Sequence, residues 1–259
     1  MCKHIFTVLL WVWASTLAQA ATITRFTPQD EVSEIRQVIA AFSEPMVRFG
    51  DPKAASPFTI ECSEAGSGRW IDEKTFSYDF VNDMPAGVAC RFTLKPDVKS
   101  LKGETVSGKT QFRFTTGGPY VRDTRPYRGS SDVDEAQVFA LTLSGPLQEQ
   151  SVQENAWCAI EGTADRIPLE IIKGEDRNII LQSIFGKRAA TSYPGAETRE
   201  ARQARTLLVR CAQTAAPKAK ITLNWGPGIK TLSGIPTSKA QTLQYQVRDV
   251  FSASMTCQR

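Results

Sequence analysis

The sequence predicts an all-β chain folded as two tandem antiparallel β-sandwiches, the second decorated with a short helical insertion. Three observations predict this. Residues 75–114 align without a gap on residues 206–245 at a constant offset of 131: Val98-Lys99-Ser100-Leu101 and Gly103 recur as Ile229-Lys230-Thr231-Leu232 and Gly234, Ser107 as Ser238, and Phe112 and Phe114 as Leu243 and Tyr245. Upstream of each copy Ala41-Phe42-Ser43-Glu44-Pro45-Met46 parallels Thr142-Leu143-Ser144-Gly145-Pro146-Leu147, so the repeated unit is a whole domain. Between the turn residues lie short runs that alternate or are rich in β-branched and aromatic residues, and the first half has no long 3.6-residue period.

In chain order, Lys3 gives a short positive start, Ile5 to Leu17 an apolar core, and Ala18-Gln19-Ala20 a small-x-small site. Together they predict a secretory signal peptide over residues 1–20, cleaved between Ala20 and Ala21. Cys2 precedes the apolar core, which argues against lipidation. Residues 21–118 form the first expected domain. It opens with an extended lead-in over 21–28 and a polar stretch over 30–36. Strands are predicted over 37–42, 58–62, 74–80, 89–94 and 110–115, and Gly117-Gly118-Pro119 closes the unit. Residues 119–259 form the second domain, starting with an extended linker over 120–127 and a polar turn over 128–135. Strands are predicted over 138–143, 157–161, 169–172, 207–211, 220–225 and 242–247. The insertion spans about 173–205, with helices over 176–185 and 197–205.

Composition narrows the chemistry. The only histidine, His4, leaves with the signal peptide, which removes Ser-His-Asp and Cys-His catalysis and histidine metal sites. The formal charge of +4, reduced by one with Lys3, is spread without a basic block, so neither nucleic acid nor an anionic membrane is an expected partner. No integral membrane segment is expected once the signal is removed, so the product should be soluble and either periplasmic or secreted. In such a compartment disulfides persist. Each of Cys62, Cys90, Cys158 and Cys211 lies on or beside a predicted strand, giving the pairs Cys62–Cys90 and Cys158–Cys211, one per domain, worth roughly 3–4 kcal/mol each. Cys257 is left over and is expected to be unpaired or to bridge to another chain or a later cysteine.

Several motifs carry a functional reading and a plainer one. Residues 103–110 satisfy the phosphate-loop pattern G-x-x-x-x-G-K-[ST], but the pattern needs a helix to follow, and Gln111 to Thr116 alternates as a strand. A loop entering the last strand is expected instead. Asp132, Asp134 and Glu135 lack the ligand spacing of a calcium loop and read as a solvated turn. Asp72-Glu73 and the Asp79, Asp83 pair do not form an acid–base couple. Arg199, Arg202 and Arg205 interleave with Glu197 and Glu200 as a solvated helix face. Trp70, Trp157 and Trp225 read as core or edge packing rather than a sugar platform. No catalytic residue, metal ligand or cofactor is expected.

Phe42 to Met46 (F-S-E-P-M) and Phe114 to Gly117 (F-T-T-G) resemble the opening and closing strands of bacterial immunoglobulin-like domains. More specifically, the exported chain resembles the N-terminal region of the large bacterial alpha-2-macroglobulin-like proteins. The resemblance rests on residues 38–49, Arg69-Trp70 and Pro85-Ala86-Gly87-Val88 in the segment from Cys62 to Cys90, Arg166-Ile167-Pro168-Leu169, residues 223–229, and Phe251-Ser252-Ala253 with Cys257. Members of that family resemble protease traps in which a bait segment is cleaved, and some carry a thioester in Cys-Gly-Glu-Gln. That motif is absent here, so no functional residue carries over. The resemblance implies a non-catalytic scaffold at the front of such an endopeptidase inhibitor, with proteases or further macroglobulin domains as partners. A stalk or adhesin module of bacterial immunoglobulin-like domains is the alternative.

Overall fold

The computed structural model describes residues 20–51, 54–186, 198–250, 252, 253 and 255. The signal sequence before Ala20, residues 187–197 with Glu197, and Cys257 lie outside the described residues. The first sandwich contains β1 (Ala21–Thr27), β2 (Asp30–Glu31), β3 (Gln37–Phe42), β4 (Phe58–Cys62), β5 (Gly66–Trp70), β6 (Thr75–Phe80), β7 (Ala89–Leu94), β8 (Val106–Ser107) and β9 (Gln111–Thr115). Its sheets run β5-β6-β3-β1-β8 and β2-β9-β7-β4. The second contains β10 (Val121–Arg125), β11 (Phe139–Leu143), α1 (Glu149–Asn155), β12 (Ala156–Ile160), β13 (Ala164–Ile171), α2 (Gly174–Phe185), α3 (Arg199–Ala204), β14 (Thr206–Cys211), β15 (Lys220–Trp225) and β16 (Gln241–Gln246). With short β2 running parallel to β9, the first unit has the strand order of an immunoglobulin-like sandwich.

Equivalent strands hold equivalent register. Ala41 opposes Thr75 as Thr142 opposes Thr206, and Phe92 opposes Phe112 as Leu223 opposes Leu243. The repeat persists in the turns: the bridge between Lys99 and Thr105 returns between Lys230 and Pro236, and Gly103 (φ +82°) returns as Gly234 (φ +85°). β7 and β9 alternate exposed and buried residues because one face of each meets the core and the other meets water. The first core is aromatic. Phe26 stacks on Phe112 at 4.3 Å between ring centres, and Phe58, Phe76, Phe92 and Phe114 fill the remainder. The second core puts Leu207, Leu223 and Leu243 where the first has Phe76, Phe92 and Phe112.

The second unit departs from the first where its sequence turns apolar on both faces. β11 and the first four residues of β14 are buried throughout, so this sheet needs a cover on its outer side. α2 supplies it: Leu181 packs on Ala140 and Leu208, flanked by Ile180, Ile184 and Phe185. In the first unit the position of Leu208 is Ser77, and the outer face there is a polar network. Asp79 accepts from Gln37 (2.6 Å), Arg69 (2.8 Å) and Ser77 (3.1 Å). Glu175 and Asp176 in the first turn of α2 suit its N-terminus, and Thr198 caps α3 by accepting from the Ala201 N–H (3.1 Å). The insertion is therefore a pair of helices, as its spacing predicts.

β13 runs through both sheets. Its first half pairs with β12 and its second half with β14, joining the two sheets along one side. β5, the counterpart of that second half, pairs with β6 alone. Both predicted disulfides form, at non-equivalent places. Cys62–Cys90 links register partners on β4 and β7, where the second unit has Ile160 opposite Ile221. Cys158–Cys211 ties β12 to β14 with Cα atoms 5.8 Å apart, where the first unit has Ile60 and Phe80. The bonds fit an oxidising, non-cytoplasmic compartment. No helix among the described residues is long and apolar enough to cross a membrane.

Candidate functional site

The most constructed feature is the joint between the two sandwiches. The chain leaves β9 through Thr116, whose hydroxyl donates to the Pro85 carbonyl (2.7 Å) and accepts from the Val88 N–H (2.9 Å). It then passes Gly117-Gly118-Pro119 into β10. The Pro119 carbonyl accepts from the Trp225 indole (2.8 Å) and the Thr237 hydroxyl (3.0 Å), both in the second unit. A Cβ built on Gly118 would lie 2.0 Å from the Thr237 nitrogen, so the joint packs backbone against backbone and requires glycine.

Around this contact the second unit grips the turn at Met84 to Val88. The Ala86 N–H donates to the Ser144 carbonyl (3.1 Å) and the Ser233 hydroxyl to the Gly87 carbonyl (2.6 Å). Ser238 donates to Glu31 (2.6 Å), while Tyr120 and Arg122 both donate to Glu34 (3.1 and 3.0 Å). Burial, reinforced by Glu34, raises the Tyr120 phenol above its ordinary pKa and keeps it a donor. α1 braces the loop from behind, because the Ser151 hydroxyl accepts from the Lys230 N–H (2.9 Å). Each bond adds about 0.5–1.5 kcal/mol, and together they fix one orientation. A groove of about 440 Å³ bordered by Glu31, Ser33, Tyr120, Lys239 and Gln241 runs beside the joint.

The repeat shows what this joint needs. Gly87 has φ +91°, and its Cβ would meet the Thr231 side chain at 2.7 Å. The equivalent Lys218 also takes a positive φ, +65°, and is exposed. Lys218 pairs instead with Asp249 (2.9 Å), the counterpart of Gly118, and Arg248, the counterpart of Gly117, pairs with Asp134 (2.9 Å). At the equivalent place in the first unit Glu44 and Lys102, the counterparts of Gly145 and Ser233, pair at 2.8 Å. Small residues form the centre of the joint, with the Arg122–Glu34 pair beside them, and ion pairs take the equivalent central positions elsewhere.

The residues singled out in sequence do not converge on one site. Residues 103–110 form a turn, β8 and a second turn at Gly108, leading into a strand and not a helix. Asp134 and Glu135 face Arg248, Asp72 accepts from the N–H groups of Lys74 (2.7 Å) and Thr75 (2.8 Å), and Asp83 pairs with Arg36. Among the described residues no group of three or more His, Cys, Asp or Glu could hold a metal. Arg205 donates to the Leu143 carbonyl, apart from Arg199 and Arg202 on α3. Trp70 packs on Phe42 and Phe76, Trp157 lies under Arg166 (4.5 Å), and Trp225 is core. Sequence reasoning missed the joint, although Gly117-Gly118-Pro119 marked its place.

No family model matches the chain, and no curated protein matches it. Among solved structures, an L,D-transpeptidase from Mycobacterium tuberculosis H37Rv shares 16% identity at a TM-score of 0.28, covering 60% of this chain and 60% of that one. The match therefore spans less than two thirds of that protein. The LD transpeptidase LdtMt1 in complex with imipenem gives 10% identity and a TM-score of 0.30 over 89% of this chain and 91% of that one. Tandem Ig repeats of Dlar give 12% and 0.21 over 89% and 100%. Likenesses at these scores carry no argument for this chain.

Proposed function

We propose that the chain is a non-catalytic exported scaffold, a rigid two-domain spacer at the front of an alpha-2-macroglobulin-like endopeptidase inhibitor. The bait and trap elements would lie outside these residues. The observation that carries the spacer role is the backbone-on-backbone contact at Gly118, backed by the two donors on the Pro119 carbonyl. Segments named for the macroglobulin resemblance include structural parts: Pro85 to Val88 is the gripped turn, and Arg166 to Leu169 lies where β13 passes from one sheet to the other. The two disulfides support a periplasmic or secreted setting, in keeping with the signal peptide expected over residues 1–20. A stalk module of a surface protein is the second reading, favoured by the same contact between the two units.

The test is to isolate the native product without reductant, measure its intact mass and free thiols, and incubate it with endopeptidases of several specificities. The inhibitor reading expects further macroglobulin modules in the isolated particle, Cys257 in a disulfide, and lost protease activity on protein substrates. Undiminished activity with no such modules would overturn it in favour of the stalk.

A further inference from the structure

The geometry points to an interaction surface along β5, where we propose that a second copy of this chain docks, strand β5 against strand β5 about a two-fold axis. Hydrogen bonds from the Ile71 N–H to Thr75 (2.8 Å) and the Val81 N–H to Ala65 (3.1 Å) fix the alternation, so Ser67 and Arg69 bond inward to β6. The N–H and C=O groups of Gly66, Gly68 and Trp70 therefore face outward, and among the described residues they have no hydrogen-bond partner. This edge contains no proline, lysine or bulge, and its one charged residue, Arg69, is paired with Asp79 at 2.8 Å. The corresponding side of the second unit is closed by β13, and the neighbouring β4 edge is interrupted where the Ser56 hydroxyl bonds the backbone of Phe58.

The strand matches its own reverse. A two-fold axis at Gly68 pairs Gly66 with Trp70 of the second copy, Gly68 with its equal, and Trp70 with Gly66. The Trp70 indole stays within its own unit, packed on Phe42 and Phe76 and donating to the Ala55 carbonyl (3.2 Å), so main-chain groups make the contact. Gly66 and Gly68 are already glycine for an internal reason, since a Cβ would strike the rings of Tyr78 and Phe76 at 2.5 Å. On the outer face the same register sets Arg69 beside Ser67 of the partner, so no like charges meet directly. The product is an isologous dimer with one continuous sheet across the axis. It leaves the interdomain joint free and does not depend on the inhibitor reading.

Ser67 is exposed and provides the test without disturbing the core. Sedimentation velocity on the full chain into the submillimolar range should show a reversible dimer, with the Gly68 and Trp70 amides exchanging more slowly as concentration rises. S67R sets a second guanidinium beside Arg69 at two symmetric positions and should weaken the dimer about tenfold, while S67E should tighten it by a similar factor and lose that gain in salt. A monomer throughout that range, or a dimer indifferent to both substitutions, would overturn the proposal.

Discussion

The indole N–H of Trp225 donates to the carbonyl of Pro119 at 2.8 Å, so a core residue of one sandwich holds the strap that leads from the other. Trp225 is only 2% exposed, and water cannot replace it as donor. Trp225→Phe should cost about 1 kcal/mol in urea unfolding, with Thr237 still bonded to the carbonyl. Adding Thr237→Val strips the second donor, and the double variant should lose more than the sum of the singles. Additive losses would mean that the two donors do not share one buried acceptor.

Gly118→Ala should open the joint without unfolding either sandwich. Its Cβ would collide with main chain, which cannot swing aside as a flexible side chain can. Solution scattering should show a broader distribution of interdomain distances and proteolysis a new cut near the linker, at a cost of about 2–4 kcal/mol in coupling between the units. An unchanged scattering curve would show that the contact is slack.

Acid should weaken the first sandwich before the second. Backbone N–H groups of Lys74 and Thr75 hold the Asp72 carboxyl below its usual pKa. Arg36 does the same for Asp83, and bonds from Gln37, Arg69 and Ser77 outweigh burial for Asp79. A depressed folded pKa gives stability that is full above the unfolded value near about 4 and is lost as pH falls through the folded values. In the second sandwich Asp249 shows such a shift, on the exposed outer end. Hydrogen exchange at pH 5 and pH 3 should localise the loss to the first unit, and Asp72→Asn should flatten its acid limb. Earlier loss in the second unit would contradict this.

Removing Cys158–Cys211 should hurt more than removing Cys62–Cys90. The bonds close loops with sequence separations of 53 and 28, which chain entropy converts to roughly 4.2 and 3.6 kcal/mol. Paired Cys→Ala variants compared by calorimetry would test the order, since loss of Cys158–Cys211 also removes a tie between sheets.

Leu181→Ala should release α2 from its sheet. Leu181 is the buried residue of that helix against Ala140 and Leu208, so about 2–4 kcal/mol is expected, with new exchange at β11 and β14 amides. A smaller loss with no new exchange would mean that the helix is held by its other contacts.

Much of the fold was legible because the chain states it twice. β3, β4, β7 and β15 fall on their predicted residues, β7 and β15 being copies of one strand at the 131-residue offset. Other elements left no such trace. β5 contains Gly-Ser-Gly, which resembles a turn, and is a strand only because the Tyr78 and Phe76 rings occupy the space over the glycines. β10 read as a linker because its buried residues, Val121 and Thr124, stand three apart across a register shift among charged residues, which leaves no alternation to detect. β13 is longer than the predicted 169–172 because its first half belongs to the other sheet. α1 is polar apart from Val152 and gave no period to detect. The joint was hidden for a different reason: Gly87 and Gly118 announce flexibility in sequence, and only the neighbouring Thr231 and Thr237 turn them into close contacts.

The bond between Cys158 and Cys211 encloses β13, α2 and α3 within one covalent ring. A single peptide-bond scission anywhere between those cysteines would leave both fragments attached. Such a nicked molecule would keep its mass on a non-reducing gel and come apart only with thiol. The chain can thus be cut on its helical insertion and still present both sandwiches as one particle.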